Sequence, residues 1–544
     1  MLNGLMMHRP LLVSSIIDYA AEMHPQGEIV SSTVEGGIHR TTYPEIAKRI
    51  AQLAHGLKAM GVKPGDRVAT LAWNGYRHFE LYYAIAGIGA VCHTLNPRLS
   101  AEQFTYITNH ASDTVLFFDT TFTKLVEAMK PHMPAGIKCV AMCDREHLPE
   151  SALDLGVYEE ILEGQPETIE WEDFPEDTAC ALCYTSGTTG DPKGVLYSNR
   201  AMVLHSLFVC IGQRSTFAPG TRILPVVPLF HANAWGLPYA APLNGCSMIF
   251  PGPYLDGPSV FKLLEDEQVF SAWGVPTVWL GLITEMDKQG RKPSHLGEVL
   301  AGGSAVAKTL IERFMKGYGV EMFQGWGMTE MSPVGTLSMM TPEMQERPLD
   351  ERIDLKSLAG RKMFGVDLKI VDEDGNRLPH DGEAEGELYV RGNCITSGYF
   401  ENQAATDAAM DAEGWFGTGD VASIDTDNWL RITDRAKDLI KSGGEWISSI
   451  DVENTALAHP KVANCAVIAI AHPKWDERPL LVVQKEPGQD PDPQELRDHV
   501  AAHLAKWQVP DAVEFVDELP LTATGKVSKK TLRETFKDHP IGKA

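Results

Sequence analysis

Two rhythms of hydrophobic and polar residues alternate along the first 170 residues of the chain. Apolar residues recur at helical spacing in "YPEIAKRIAQLAHGLKAMG" (43–61), whereas "DRVATLAW" (66–73) and "DTVLFFD" (113–119) are short apolar runs typical of buried strands. The same alternation continues in four later stretches, which are 221–230, 246–253, 270–279 and 295–306. Strands that alternate with helices indicate strand–helix–strand units and a largely parallel sheet.

The pattern changes near residue 366. "LKIVDEDGNRLP" (368–379) offers a hairpin turn at Asp374 and Gly375, and "ELYVRG" (387–392) and "WLRITD" (429–434) follow as closely spaced strands. Further on, a helix capped by Ser448 or Ser449 precedes two apolar strands and a second helix. The sequence therefore predicts a small antiparallel β subdomain and then a separate α+β unit.

A chain of 544 residues exceeds what one hydrophobic core normally serves. We expect an α/β fold with a large N-terminal region of mixed, mostly parallel sheets and helices, a small antiparallel β subdomain, and a mobile α+β C-terminal domain. The predicted boundaries are 1–434 for the N-terminal domain, with the β subdomain at about 360–434, 435–437 for a hinge, and 438–544 for the C-terminal domain. Such a short connection allows large rotations.

Charge and composition narrow the function classes. The chain has 48 Lys and Arg against 73 Asp and Glu, and its net charge of −25 argues against nucleic acid and anionic membrane surfaces as partners. The N-terminal apolar run ends at Asp18, too early for a signal peptide, and no later stretch reaches transmembrane length without Pro or a charge. We therefore expect a cytoplasmic protein with no integral membrane association.

Nine scattered cysteines do not suggest a disulfide framework. Cys180 and Cys183 form a CxxC pair, but no second pair of ligands stands nearby in the sequence. We interpret both cysteines as residues of a buried strand rather than a zinc or redox site.

The segment "YTSGTTGDPKGV" (184–195) is the first candidate for chemistry. Its small residues let backbone N–H groups approach an anion, and its hydroxyls and one lysine add donors. It lacks the Gly-Lys-Ser/Thr ending of the usual ATPase loop, and a merely flexible loop is the alternative. The candidate phosphate-binding residues are Thr185, Ser186, Gly187, Thr188, Thr189, Gly190 and Lys193.

This segment resembles the signature loop of the adenylate-forming superfamily, which includes acyl-CoA synthetases, firefly-type luciferases and the adenylation domains of peptide synthetases. Five further stretches match the superfamily in order, namely "AGGSAV" (301–306), "QGWGMTE" (324–330), "GWFGTGD" (414–420), "ITDRAKDLIKSGGEWIS" (432–448) and "LPLTATGKVSKKTLRE" (519–534). Six ordered motifs are far more specific than any one of them, and the resemblance covers essentially the whole chain.

The resemblance implies an ATP site. Trp326 would offer a flat face to adenine, Thr329 a hydroxyl to the α-phosphate, and Glu330 an oxygen ligand to Mg²⁺. Asp420 would accept hydrogen bonds from the ribose hydroxyls, with Arg435 as a second contact. Other nucleotide-binding candidates are Gly303, Ser304, Ala305, Gln324 and Gly325. In isolation, Trp326 would be interpreted as a core aromatic, Glu330 as a solvated carboxylate and Asp420 as a turn residue.

The resemblance also assigns the catalytic lysine. Lys526 would stabilise the charge that develops when the substrate carboxylate attacks the α-phosphate, while Lys529 and Lys530 are expected to stay at the surface. For the second step, rotation about Lys437 would bring in Lys441. Gly443 and Gly444 would then leave room for the pantetheine arm of coenzyme A.

The acid pocket is predicted around "PLFHANAWG" (228–236), where His231 would lie beside the substrate carboxylate. A structural role for this histidine is the alternative. Trp235 would shorten an acyl tunnel, which argues against very long chains. The other candidate wall residues are Trp273, Gly274, Val275, Pro276, Thr277, Gly302, Met328, Pro333 and Val334.

Two departures from the superfamily pattern, Asn199 and Asp476, mark a subfamily without removing a reacting group. The chain is similar to short- and medium-chain fatty-acid–CoA ligases of the 3-methylmercaptopropionate type. An apolar pocket lined by Trp and Met suits a short thioether acid.

The resemblance therefore implies an ATP-dependent, AMP-forming acid:CoA ligase whose partners are a small carboxylic acid, ATP, Mg²⁺ and coenzyme A, with a homodimer as a possible assembly. A medium-chain fatty-acid ligase, a luciferase-like oxygenase and a non-catalytic nucleotide or acyl sensor remain alternatives. A peptide-synthetase module is disfavoured because no carrier domain follows, and a serine hydrolase because no G-x-S-x-G elbow appears.

Overall fold

The computed structural model describes residues 1–185, 191–443, 445–522 and 526–543, the last two residues for the backbone only. The strands are β1 (Glu28–Ser32), β2 (Ile38–Thr42), β3 (Arg67–Leu71), β4 (Val91–Thr94), β5 (Val115–Phe118), β6 (Lys138–Ala141), β7 (Leu155–Val157), β8 (Ala179–Tyr184), β9 (Gly194–Ser198), β10 (Arg222–Pro225), β11 (Ser247–Phe250), β12 (Ser271–Gly274), β13 (Glu298–Gly302), β14 (Glu321–Gly327), β15 (Val334–Leu337), β16 (Gly360–Lys362), β17 (Val366–Val371), β18 (Gly386–Gly392), β19 (Phe416–Ile424), β20 (Trp429–Arg435), β21 (Ile440–Ser442), β22 (Glu445–Ile447), β23 (Val462–His472), β24 (Asp476–Lys485) and β25 (Ala512–Val516).

The α-helices are α1 (Ser14–Met23), α2 (Tyr43–Ala59), α3 (Tyr76–Gly87), α4 (Ala101–Ala111), α5 (Thr123–Met129), α6 (Tyr158–Leu162), α7 (Asn199–Gly212), α8 (Leu237–Leu243), α9 (Gly257–Asp266), α10 (Pro276–Gln289), α11 (Lys308–Glu312), α12 (Pro342–Gln345), α13 (Leu349–Lys356), α14 (Gln403–Ala409), α15 (Ser449–Leu457), α16 (Pro493–Ala501) and α17 (Lys529–Thr535). None of the helices within the described residues is long and apolar enough to cross a membrane.

One sheet has the strand order β7-β6-β5-β3-β4-β8-β9 and is parallel except for the antiparallel β8–β9 pair. Every residue of β4 and β5 is buried. Strands covered on both faces need continuous apolar runs, which is why "VLFF" shows no alternation. Cys180 and Cys183 lie buried in β8, as interpreted from the sequence.

A second sheet runs in the order β17-β18-β19-β20-β16-β15-β14-β13-β12-β10-β11-β1-β2. Its central strands β11, β10, β12, β13 and β14 are parallel, and the strands from β15 to β17 at one end are antiparallel. The predicted hairpin turn is present, since the Gly375 N–H donates to the Asp372 carbonyl at 3.0 Å. The antiparallel strands therefore extend the large sheet rather than forming a sheet of their own.

Helices cover both faces of both sheets. One core cluster joins α2 and α3 to strands of both sheets, so these helices form a shared middle layer. The outer faces pack separately, with α4 and α5 on the first sheet and α9 and α10 on the second. The predicted mixed α/β fold is confirmed.

The C-terminal sheet has the order β22-β21-β24-β23, and β25 pairs in parallel with β24. Its two faces bury separate clusters, one under α15 and α16 and the other under α17. The Ser448 side chain accepts from the Asp451 N–H and so caps α15, which decides between the two predicted caps. This small sheet carries the loop that ends at Lys526.

Candidate active site

The candidate phosphate loop connects the antiparallel strands β8 and β9. Its two described ends are held together, because the Thr185 N–H donates to the Lys193 carbonyl at 2.9 Å and the Lys193 N–H donates to Thr185 Oγ1 at 3.3 Å. The predicted residues Ser186, Gly187, Thr188, Thr189 and Gly190 lie outside the described residues. The two ends of the loop therefore lie side by side at the edge of β8 and β9, and Lys193 is the residue at its C-terminal end.

The end of β14 supplies the next group of candidates. The Gln324 side chain is buried, and its Oε1 accepts no hydrogen bond from the residues that the structure describes. The Trp326 Nε1–H donates to Asp420 Oδ2 at 2.9 Å. A buried acceptor without a donor costs free energy, so Gln324 has unused hydrogen-bonding capacity at the cleft.

Asp420 and Arg435 face each other across β19 and β20. Arg435 Nε lies 2.9 Å from Asp420 Oδ1, while Trp326 holds the other carboxylate oxygen. Asp420 is buried and Arg435 is partly exposed. The carboxylate is thus fixed in orientation by two donors from different strands.

Glu330 lies in a short 3-10 helix, Thr329–Met331, directly after β14. Its Oε1 accepts a hydrogen bond from the Tyr399 hydroxyl at 2.7 Å, and burial raises the pKa of the Glu330 carboxyl. The neighbouring Thr329 is also buried, and its carbonyl accepts from the Tyr197 hydroxyl at 2.6 Å. Both residues are therefore held by tyrosines from other elements.

Lys526 reaches this site from the C-terminal sheet. Its Cε lies 3.5 Å from where a Cβ at Gly303 would be, and Gly303 has φ +83°, a conformation that glycine favours. Burial lowers the pKa of Lys526 to about 8, and the charge of Arg435 adds to this effect. The negative charges of Asp420 and Glu330, which line the same cleft, act in the opposite direction on this pKa.

These groups line one cleft of about 2750 Å³ between the large sheets and the C-terminal sheet. The predicted residues that line it are Thr185, Lys193, His231, Trp235, Pro276, Thr277, Gly302, Gly303, Ser304, Ala305, Gln324, Gly325, Trp326, Met328, Thr329, Glu330, Pro333, Val334, Asp420, Arg435 and Lys526. The structure thus brings together residues that are more than 300 positions apart in the chain.

His231 and Trp235 form the wall beside Lys526 and Gly303. Burial and the nearby Lys526 charge lower the pKa of His231 to about 4, so this imidazole is neutral at pH 7. Trp235 lies in a left-handed turn, with φ between 44° and 58° at residues 232–235 and 82° at Gly236. Non-glycine residues rarely adopt this conformation, so the turn is strained.

Gly302 gives this wall its close packing. A Cβ at Gly302 would lie 3.0 Å from the Trp235 ring and 3.0 Å from the Gly325 carbonyl oxygen. The Trp235 ring therefore fits against bare backbone at the wall of the cleft.

The structure does not bring the residues assigned to the second step into the cleft. Lys441 lies exposed on the β21–β22 hairpin, where its Nζ is 5.7 Å from the centre of the Trp446 ring. Gly443 has φ +62° and packs against the Trp475 ring, and Gly444 lies outside the described residues. The observed arrangement places Lys526, and not Lys441, in the cleft.

Sequence reasoning missed Tyr399, which holds Glu330 and lies under the ammonium of Lys193, 4.9 Å from Nζ to the ring centre. It also missed Arg98, which lines a small cavity of about 20 Å³ with His231 and Lys526. Both are isolated residues in loops, and neither has a neighbouring pattern that would have indicated a role.

His205 is a third residue that the sequence did not single out. It is buried in α7, and its Nε2 accepts the Val334 N–H at 3.1 Å. A Cβ at Gly236 would lie 2.7 Å from its Nδ1. The imidazole therefore supports two walls of the cleft from behind, and burial lowers its pKa to about 3.

The expectation that Lys529 stays at the surface is wrong. Its side chain is only 16% exposed, and its Nζ lies 2.7 Å from Glu453 Oε1. A long cationic side chain is buried when a carboxylate compensates its charge. No local pattern around Lys529 indicated that Glu453 would lie nearby. Lys530 is exposed, as expected.

Comparison with known proteins assigns the family. The AMP-binding enzyme family matches residues 17–400, and the AMP-binding enzyme C-terminal domain matches residues 451–526. The chain belongs to the AMP-binding enzyme family. The adenylate-forming superfamily and the enzyme class predicted from the motifs are thereby confirmed.

Relatives and solved structures within this family match over nearly the whole chain. The 3-methylmercaptopropionyl-CoA ligase of Ruegeria lacuscaerulensis is 48% identical over 540 residues, which is 99% of this chain and 100% of the relative. The medium-chain-fatty-acid–CoA ligase of Ectopseudomonas oleovorans is 44% identical, over 98% of each chain. The crystal structure of ATP-bound MatB from Rhodopseudomonas palustris has a TM-score of 0.81 at 25% identity, covering 96% of this chain and 99% of that one.

Proposed function

We propose that this AMP-binding enzyme is an ATP-dependent acid:CoA ligase that acts on a short carboxylic acid such as 3-methylmercaptopropionate. The observation that carries the proposal is the convergence of Lys526, Glu330 and Asp420 on one cleft. A cation beside a neutral imidazole, a buried carboxylate and an oriented ribose-type acceptor are the groups that joining an acid to a nucleotide requires.

ATP would bind with its base beside β14. Trp326 offers its face to adenine, Gln324 Oε1 offers an acceptor to the amino group, and Asp420 with Arg435 holds the ribose. Gly303, Ser304, Ala305 and Gly325 would form the floor under the base. The β- and γ-phosphates would lie on the loop from Thr185 to Lys193.

Magnesium is part of the proposal because Glu330 suits it. Mg²⁺ is usually bound by one or two carboxylates together with substrate phosphates, and no group of three or more His, Cys, Asp or Glu side chains within the described ranges could hold a metal ion alone. Bound there with Glu330 as its protein ligand, the ion would neutralise phosphate charge. The buried Glu330 carboxylate is held in place by Tyr399 for this role.

In the first step, a carboxylate oxygen of the acid attacks the α-phosphorus and the bond to the β-phosphate oxygen breaks, releasing pyrophosphate. Lys526 would stabilise the negative charge that develops between the two anions, and the Thr329 hydroxyl would donate to the α-phosphate. His231 is neutral, so it would lie beside the carboxylate of the acid without repelling the Lys526 ammonium. The product would be an acyl-adenylate.

In the second step, the thiol of coenzyme A loses its proton and attacks the acyl carbonyl, and AMP leaves. Lys441 and Gly443 lie outside the cleft in the observed arrangement, so this step requires the C-terminal domain (438–544) to rotate about the hinge at 435–437. Gly443 and Gly444 would then admit the pantetheine arm. We propose that the two domains, 1–434 and 438–544, are the units that move relative to each other in this rotation.

The acid is proposed to be short because Trp235 limits the pocket against Gly302. Met328, Pro333 and Val334 add apolar walls, which suit a thioether or an alkyl chain equally. A medium-chain fatty acid is the second candidate, since the relative from Ectopseudomonas oleovorans is named for that activity.

The test is CoA-dependent AMP formation across a panel of acids, from propionate to dodecanoate and including 3-methylmercaptopropionate. We expect the highest kcat/KM for the short thioether acid, and a shift toward longer chains in Trp235→Ala, of about tenfold in relative kcat/KM, because the truncation adds pocket volume. A maximum at medium chain length in the wild type would favour the second candidate. No AMP from any acid would contradict the ligase proposal.

A further inference from the structure

The buried lysine that follows the candidate catalytic lysine by three residues belongs to a chain of contacts that crosses the proposed hinge. Lys529 is the first residue of α17, and its Nζ donates to Ser449 Oγ at 2.6 Å and lies 2.7 Å from Glu453 Oε1. Both partners belong to α15. The ammonium therefore joins the helix after Lys526 to the helix after the hinge.

The bonds continue across the hinge to the large sheet. The N–H and the hydroxyl of Ser449 both donate to Asp434 Oδ2, each at 2.6 Å. Asp434 lies in β20, where it pairs with Val421 of β19, so its position is fixed by the 13-stranded sheet. The chain Lys529–Ser449–Asp434 thus links the C-terminal sheet to the rest of the molecule.

Both ends of this chain are anchored. The other oxygen of Asp434 accepts the Arg435 N–H at 2.7 Å, and Glu453 Oε1 also accepts the Val467 N–H at 2.7 Å from β23. Within the C-terminal unit, Arg533 of α17 also pairs with Asp438, the first residue after the hinge. Buried charges of this kind need all their partners, since an ammonium or carboxylate left alone is strongly destabilising.

We propose that Lys529 is a positioning residue that, through Ser449 and Asp434, holds the C-terminal unit in the orientation that places Lys526 in the cleft. This inference rests on the proposed function for its catalytic consequence. Any rotation about residues 435–437 carries Ser449 and Lys529 away from Asp434, so the contact belongs to the orientation seen here. It stabilises that orientation relative to one in which Lys526 is withdrawn.

Loss of the Lys529 contact should affect the two half-reactions differently. The first step needs Lys526 in the cleft, and a misplacement of about 1 Å can cost about 100-fold in rate. The second step uses the other orientation, in which Lys529 and Asp434 are apart. Loss of the contact therefore slows adenylation and leaves thiolysis of the adenylate unimpaired.

The orientation itself is tested by the reactivity of Lys526 toward an amine-labelling reagent, quantified by mass spectrometry. We expect the labelling rate to rise at least about fivefold in Lys529→Met and in Asp434→Ala, because local opening exposes the amine. Lys529→Arg retains the charge and donors and should restore protection. Lys530→Met, at the exposed neighbouring position, is the matched control and should label as the wild type does.

A double variant distinguishes an effect on positioning from a general loss of stability. Lys529→Met leaves the Glu453 carboxylate buried without its cation, whereas Lys529→Met with Glu453→Gln removes both charges and should recover most of the lost stability. Increased labelling of Lys526 that persists in the double variant supports positioning. Labelling that returns to the wild-type rate in the double variant, or that is unchanged in Asp434→Ala, would overturn the proposal.

Activity gives a second readout. Single-turnover pyrophosphate release should fall about tenfold in Lys529→Met, while CoA-dependent acyl transfer from a synthetic acyl-adenylate stays within about twofold of the wild type. An equal loss in both steps would contradict a positioning role. If the wild type itself releases no pyrophosphate with any acid, the ligase proposal fails, and Lys526 labelling still decides whether the contact holds this orientation.

Discussion

At the scale of single residues, burial and the Tyr399 hydroxyl act in opposite directions on the pKa of Glu330. Burial raises the pKa of the Glu330 carboxyl, and the hydrogen bond from the Tyr399 hydroxyl acts in the opposite direction. Tyr399→Phe removes only that hydroxyl, so we expect the pKa of Glu330 to rise further. More of the carboxyl is then protonated as pH falls, and magnesium-dependent adenylation is lost at a higher pH than in the wild type.

The measurement is kcat/KM for ATP as a function of pH. On the acidic side of the pH optimum, we expect kcat/KM of Tyr399→Phe to fall about fivefold further below its own maximum than that of the wild type does. Tyr254→Phe, at an exposed tyrosine, is the control. Parallel acidic limbs in the wild type and Tyr399→Phe would show that this hydroxyl does not set the charge of Glu330.

We expect Lys526 to determine the alkaline side of the pH dependence of kcat/KM for ATP. Its pKa is lowered to about 8, chiefly by burial, so the free enzyme carries the ammonium below this pH and loses it above. Because kcat/KM for ATP reports ionisations of the free enzyme, it should decline as pH rises through about 8. Lys526→Arg keeps its charge at this pH, so a low but pH-independent rate in this range is expected. A basic limb that persists in Lys526→Arg would assign the ionisation to another group.

At the scale of elements, the turn at residues 232–236 shapes the acid pocket. Its left-handed conformation and the approach of Gly236 to His205 hold Trp235 against Gly302. Gly236→Ala adds a Cβ that would lie 2.7 Å from His205 Nδ1. We expect it to destabilise the protein by about 2–3 kcal/mol, from the strain of a non-glycine residue in this conformation and the clash.

Gly220→Ala is the matched control. Gly220 has φ +79°, close to the 82° of Gly236, but nothing lies within 4 Å of a Cβ built there. The difference in unfolding free energy between the two variants, measured by denaturant titration, isolates the contact with His205. Equal losses would mean that His205 yields freely and does not support the pocket wall.

The sequence predicted these elements unevenly, for physical reasons. Apolar runs such as residues 115–118 identified buried strands because burial on both faces demands such runs. The left-handed turn was not foreseen, since "HANAW" holds no glycine where the backbone is most strained. Its conformation comes from tertiary contacts with residues such as His205, which lie outside the local pattern.

At the scale of the whole molecule, the ordered motifs identified residues of the cleft. They did not identify the long-range contacts that hold neighbouring side chains in place. Lys526 and Asp420 were identified through their motifs, and the structure brings both to one cleft. Lys529 was expected at the surface because its partners, Glu453 and Ser449, are about 80 residues away in the chain. Long-range ion pairs leave no periodic signal, so sequence reasoning could not find them.

The orientation of the C-terminal sheet relates the two lysines to the cleft. Lys526 lines the cleft in an orientation in which Ser449 of α15 donates to Asp434 of β20. Lys441 is exposed on the β21–β22 hairpin and does not line the cleft. In the observed orientation, Lys526 lines the cleft and Lys441 does not, so the proposed second step needs the other orientation.

The most direct test of the central claim is the product balance of one reaction, in which ATP, Mg²⁺ and 3-methylmercaptopropionate are incubated with the enzyme, with and without coenzyme A. We expect pyrophosphate in both cases, multiple turnovers of AMP only with coenzyme A, one acyl-CoA per AMP, and loss of all products in Lys526→Ala. Formation of ADP and phosphate, AMP turnover independent of coenzyme A, or full activity in Lys526→Ala would contradict the account.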